Sequence, residues 1–227
     1  MAKASFFTSS IGKKVIMGAT GLFLISFIVI HVSINSLIFL DLFNPSEDGH
    51  AFNTAADFMA HNPIIRILEI GLIAGLLIHA IQGIVLTLQN RSKRPVKYAV
   101  VDGKANANWY SRSMGLLGTL LMMFLALHLF DFWLPTKQAV FAGAEHDTFQ
   151  SIVNAFSNPI RVVIYLAGVA SLCFHLMHGF QSAFRTFGLV HKKYTPIIVG
   201  IGKLFSIVVS ILFALMPILV FAGLITK

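Results

Sequence analysis

Five stretches of this chain, near 15–40, 64–89, 114–134, 160–185 and 197–225, are apolar for long enough to cross a lipid bilayer. A hydrocarbon core takes ~20 helical residues at about 1.5 Å each. Within it every backbone N–H and C=O must be paired inside the segment, so runs of this length are helices. The expectation is an all-α integral membrane protein with five transmembrane helices, one membrane domain over 1–227. A composition 56% hydrophobic and 11% charged belongs to the same class. No small-residue cleavage site clearly follows the first run, which is read as a retained helix. The single Cys173 rules out an internal disulfide framework.

The net charge of +8 follows topology and does not point to nucleic acid. Lys3, Lys13 and Lys14 precede helix one. Arg91, Lys93, Arg94, Lys97, Lys104 and Arg112 stand between helices two and three, and Arg185, Lys192, Lys193 and Lys203 flank the link from four to five. That puts 13 of the 17 basic residues on one side. The other side keeps Arg66, Lys137, Arg161 and Lys227 with the acids Asp41, Glu47, Asp48, Asp57, Glu145 and Asp147. Basic loops stay cytoplasmic, so the N-terminus is expected inside and the C-terminus outside. In the outer connection 41–62, Phe52, Ala55, Ala56 and Met59 recur at helical spacing and predict a short surface helix. The basic link 90–112 suits a docking surface or a lipid-headgroup contact, and equally a solvated topogenic loop.

A duplication organises the middle of the chain. HNPIIRILEIGLIAGLLIHAIQG, starting at His61, is echoed by SNPIRVVIYLAGVASLCFHLMHG, starting at Ser157. In both, Asn-Pro is followed by an arginine, and a histidine stands 16 residues after the proline, with a glycine four further on. Pro63, His79 and Gly83 match Pro159, His175 and Gly179. Helices one and three match likewise: His31 lies ten residues after Gly21, and His128 ten after Gly118. A two-helix unit thus occurs twice in one orientation, followed by an unpaired fifth helix.

Depth then pairs the histidines. His31 lies 17 residues past Lys14, ~25 Å from the inner end at helical rise, and His128 lies 16 past Arg112. His79 is 12 residues before Arg91 and His175 is 10 before Arg185, ~15–18 Å from the same end. One pair shares an outer level and one an inner level, each drawn from two helices. Such pairs can grip two flat metal macrocycles from both faces, and an imidazole on each axial side gives six-coordinate iron that moves electrons only. Gly83 and Gly179, one turn beyond their histidines, and Gly21 and Gly118 leave room for a ring, or for close helix packing. His178, three residues after His175 and aligned with Gln82, is read as a neighbour and not a ligand. His50, His61, His146 and His191 fall in connections. Glu69 is the one acid placed well inside a span, and its i, i+3 spacing predicts an ion pair with Arg66.

The residues that carry these features resemble the cytochrome b subunit of succinate dehydrogenase and fumarate reductase, in its single-chain, five-helix, two-haem b558 form. The carriers are ATGLFLISFIVIH, AFNTAADFM, NPIIRILEIGLIAGLLIHAIQG, LALHLFDFW and FHLMHGFQSAFRTFG, spread over nearly the whole chain. The resemblance implies a multi-pass anchor in a bacterial cell membrane, with a flavoprotein and an iron–sulfur subunit docked on its cytoplasmic face. It implies two haems b, the outer on His31 and His128 and the inner on His79 and His175. Electrons would pass from the iron–sulfur subunit to a quinone, expected to be menaquinone, or in reverse in a quinol:fumarate reductase. Where some relatives carry a functional glutamate before helix two, this chain offers Asn53 and Thr54. Where they carry one two residues before the helix-four ligand, it has Cys173. Asp57, His61 and Glu69 are the candidates for quinone or proton handling. Arg112, Arg185 and Lys203 inside, and Arg66 and Arg161 outside, stand at levels suited to haem propionates. Two other readings remain: a haem-free anchor or transporter with a thin set of polar residues, and the haem b subunit of a different dehydrogenase. No motif for oxidising succinate is present, so the chain is expected to act only as a subunit.

Overall fold

The computed structural model describes residues 9–44, 46, 48–92 and 108–226. Lys3, Glu47, Lys93, Arg94, Lys97, Lys104 and Lys227, all used above to orient the chain, lie outside the described residues, as does most of the link 90–112. Every regular element among the described residues is helical, and five helical spans are long and apolar enough to cross a membrane.

Helix α1 (Ser10–Asn35) begins where the Ser9 hydroxyl accepts from the Gly12 amide at 3.0 Å, and it runs on through a 3-10 turn, Ser36–Leu42. The outer connection then forms α2 (His50–His61), the surface helix expected from the spacing of its apolar residues. Helix α3 (Pro63–Ser92) and helix α8 (Pro159–Thr186) are the duplicated pair. Their shared Asn-Pro is a helix-starting device. Asn62 Oδ1 accepts from the amides of Ile64 and Ile65 at 2.9 and 3.3 Å, and Asn158 Oδ1 from those of Ile160 and Arg161 at 2.9 and 3.4 Å. The proline that follows occupies a first-turn position whose missing N–H costs nothing.

The third span departs from its expected end at Leu134. After the short α4 (Trp109–Arg112), α5 (Met114–His128) passes through a π-helical turn, Leu129–Trp133, into α6 (Leu134–Ala142). Pro135 does not stop the helix, because it stands in the first turn after the π segment, where its ring is tolerated. Helix α7 (Thr148–Phe156) follows Asp147, whose carboxylate accepts from the Gln150 amide at 2.9 Å. Helix α9 (Thr195–Phe221) closes the chain, with Pro217 buried inside it.

Helix α8 is the hub, packed on α1, α5 and α9, whereas α3 lies on α1 and buries none of its own residues. Close approaches account for the hub. A Cβ on Gly168 would run into the Phe124 ring, and one on Gly202 would meet Phe180 Cδ1 at 2.5 Å. Small residues let membrane helices touch in this way. The best-buried cluster sits at the outer end, where α2 and α7 close over the bundle with Ile38, Phe52, Phe149, Ile152 and Phe156. Asn53 joins the two caps: its Nδ2 donates to Asp147 Oδ1 and its Oδ1 accepts from the Phe149 amide, both at 2.9 Å. Gly49, at φ 72°, lies against the Phe149 ring where a Cβ would collide, and its amide donates to buried Asp41 at 3.0 Å.

Candidate functional site

The bundle brings the four spanning histidines together as two pairs. The His31 and His128 rings, from α1 and α5, have centroids 5.8 Å apart. Those of His79 and His175, from α3 and α8, are 6.1 Å apart. Two imidazoles on opposite sides of one metal ion, each bonded at ~2.0–2.1 Å, hold their ring centroids about 6 Å apart. The spacing of both pairs therefore fits one metal atom between each. Among the described residues no three or more His, Cys, Asp or Glu side chains converge, so any metal here would draw its other ligands from elsewhere, as a macrocycle supplies them.

The inner pair is set by α1. Thr20 Oγ1 donates to the Ile16 carbonyl at 2.8 Å and lies 3.1 Å from His79 Nδ1. With its own hydrogen so engaged, the hydroxyl accepts from an Nδ1–H, which leaves the His79 Nε2 lone pair free for a ligand. His175 Nδ1 and His128 Nδ1 are buried without hydrogen-bond partners, and so is Gln82 Oε1, one turn inward of His79. The outer pair sits among aromatic rings. Phe27 stacks on His31 at 5.1 Å, Phe213 lies 5.6 Å from it, and Phe132, Phe124 and Tyr165 surround His128 at 5.4, 5.8 and 6.1 Å. His31 Nδ1 is 3.3 Å from Asn35 Nδ2.

Of the four glycines matched in the repeat, Gly118 and Gly179 have nothing within 4 Å of an added Cβ, as a ring cradle requires. Gly21 instead faces His79 Cε1 at 3.5 Å and Gly83 faces Met17 Cε at 3.6 Å, which are ordinary packing contacts. His178 is half-buried on α8 and forms no ring pair with a histidine of another helix. His50 and His61 are exposed on α2, His146 Nε2 is 3.3 Å from Ser151 Oγ, and His191 stacks near Tyr194 at 5.2 Å.

The acids fall differently from expectation. Asp57 and His61 pair with each other at 3.0 Å on the exposed face of α2, with side chains 73% and 55% exposed. Glu69 does not pair with Arg66. It holds Lys137 Nζ at 2.6 Å and accepts from Trp133 Nε1 at 2.5 Å, while the Arg66 guanidinium lies 5.7 Å over the Phe141 ring. The continuation of the third span into α6 explains the change, because it carries Lys137 down beside α3. Glu69, Lys137, Trp133, Arg66, Ile70, Ile73 and Phe141 line a cleft of about 280 Å³ with almost wholly apolar walls.

Asp131 was missed as a membrane-embedded acid. With the span ending at Leu134 it would sit in a last, interfacial turn. The observed helix runs on, and the Asp131 side chain is 2% exposed, 3.2 Å from Arg161 Nη2 and 3.0 Å from the Tyr165 hydroxyl that donates to it. An aspartate inside an aromatic run three residues after His128 was the available signal. Arg161 is thereby engaged by a carboxylate and not left free for a propionate.

The chain is 27% identical over 164 residues to the succinate dehydrogenase cytochrome b558 subunit of Bacillus subtilis (strain 168), covering 72% of each chain. No family model and no solved structure matches it. The resemblance read from the sequence thus has a curated counterpart: this multi-pass membrane chain is similar to one succinate dehydrogenase cytochrome b558 subunit.

Proposed function

We propose that the chain is the dihaem cytochrome b anchor of a succinate:quinone oxidoreductase. One observation carries the reading: two interhelical histidine pairs, in a duplicated frame, with ring centroids 5.8 and 6.1 Å apart. His31 with His128, and His79 with His175, are the residues that would hold an outer and an inner haem b. A haem so held exchanges single electrons and offers no open position to substrate. The protein's own work is to fix the two sites in depth, to keep them dry, and to present them between a cytoplasmic docking face and a quinone. Helix α8 spaces the levels: Tyr165, which touches His128, and His175 are ten residues apart, ~15 Å along the axis. Thr20 fixes the His79 tautomer, and Gly118 and Gly179 leave space beside the rings.

The cleft between α3 and α6 suits the quinone, expected to be menaquinone. Its apolar walls take the ring and tail, and the Glu69–Lys137–Trp133 hydrogen-bonded group stands at its wall, where a quinone oxygen would compete for one of these bonds. Asp57 and His61, 3.0 Å apart and exposed on α2, are the second candidates for quinone or proton handling. Flavoprotein and iron–sulfur subunits dock on the cytoplasmic side, where N-in topology places the basic connections, and the membrane lipid surrounds the rest. The same parts run in reverse as a quinol:fumarate reductase.

A reduced-minus-oxidised spectrum of the purified subunit, with haem counted per chain, tests the reading. Two haems b are expected, each of His31→Ala, His79→Ala, His128→Ala and His175→Ala losing about one and His178→Ala keeping both. No haem in a folded preparation would leave a bare anchor or transporter. Copurification of a partner without flavin would point to a different dehydrogenase.

A further inference from the structure

The group around Asp131 has no part in the ligand frame, yet it is built at some expense. Burying a carboxylate is unfavourable unless it is both paired and hydrogen-bonded. Here Tyr165 donates to Oδ2 at 3.0 Å, and Arg161 Nη2 stands 3.2 Å from Oδ1 without hydrogen-bond geometry, so the second contact is chiefly one of charge. The carboxylate sits in the π-helical turn Leu129–Trp133, a distortion often found at functional sites. Its hydrogen-bond partner Tyr165 lies 6.1 Å from the His128 ring and 5.2 Å from Phe124, so this phenol links the carboxylate to the ring of a paired histidine. The aromatic walls around it make a low-dielectric setting in which fixed charge acts over a longer range than in water.

We propose that Asp131, Arg161 and Tyr165 are positioning residues for the outer histidine pair. Tyr165 holds its place against His128, and the two opposite charges set how readily the outer centre accepts an electron. The inference rests on the haem reading given above. It assigns no proton transfer to these three residues.

The sign of the response separates an electrostatic role from a merely structural one. Asp131→Asn removes the negative member and leaves Arg161, so reduction of the outer centre becomes easier. Arg161→Gln removes the positive member, so reduction becomes harder. Arg161 is 37% exposed, so this second variant tests the proposal even if Asp131→Asn folds poorly. The measurement is a redox titration of the two-haem preparation, following each centre separately. Expected are opposite shifts of about tenfold in the reduction equilibrium of the outer centre, ~59 mV for one electron. The inner centre should move by less than about threefold, and Tyr165→Phe should keep both haems. Shifts of the same sign, an outer centre that does not move, or equal movement of both centres would overturn the proposal while leaving the haem count intact. Loss of haem from the unmodified protein would instead defeat the functional reading on which it rests.

Discussion

Thr20 illustrates how much one hydroxyl decides. Its oxygen closes a turn of α1 by donating to Ile16 and faces His79 Nδ1 on α3, so one residue ties two helices and selects the ring nitrogen left for a ligand. Threonine is close in shape to valine, so Thr20→Val isolates the polar contact. Loss of such an outer-shell partner typically weakens a metal site ~10–100-fold. The expected outcome is selective loss of the inner haem on dilution in detergent, with the outer retained, read as haem per chain before and after gel filtration. Equal retention of both would assign Thr20 to packing alone. The pairing of the four histidine rings was legible from number and spacing, because a duplicated frame gives each a partner on another helix. Thr20 was not, since a threonine in an apolar helix more often bonds its own backbone, as it also does here.

At the scale of elements, the boundary of one helix changes the chemistry of two acids. The run 114–134 reads as a complete span, and Pro135 reads as its stop. The π turn lets α5 continue as α6, which buries Asp131 beside Tyr165 and lowers Lys137 onto Glu69. A local pattern of apolar residues carries no signal for those extra turns, about two beyond Leu134, so the i, i+3 pairing of Glu69 with Arg66 was the natural and incorrect expectation. The caps show the converse. The helical spacing of Phe52, Ala55, Ala56 and Met59 made α2 legible, whereas α7 and the Asn53 bridge to it depend on contacts 94 and 96 residues apart in sequence. If the α3–α6 cleft takes the quinone, Glu69→Gln should slow quinone reduction by the assembled complex about a hundredfold or more, the low end for a positioned proton-transfer group. Haem content and reduction of a soluble dye should stay unchanged. A normal quinone rate would move the site elsewhere, with Asp57 and His61 next in line.

For the whole molecule, the proposed function makes orientation decisive, because it sets which histidine pair would meet the soluble subunits. Among the described residues, contacts fix which ends of the five long helices lie together within the bundle. Lys13 Nζ reaches Gln89 Oε1 at 3.4 Å, and Gly18 packs on Phe187 at 3.3 Å, at the end bearing the basic links. The α2–α7 cap closes the other end, over the His31–His128 pair. If the excess of lysine and arginine keeps the basic end in the cytoplasm, His79 and His175 would be the pair nearer to an electron donor docked there. The assignment can be read directly in cells. In a Cys173→Ser background, Lys193→Cys and Glu145→Cys put single thiols on exposed positions at the basic end and the cap end. A membrane-impermeant maleimide should label position 145 on intact cells and position 193 only after permeabilisation. The reverse pattern would turn the molecule over. It would make His31 and His128 the first pair to meet cytoplasmic electrons, and it would place the Glu69 cleft on the same side as the donor.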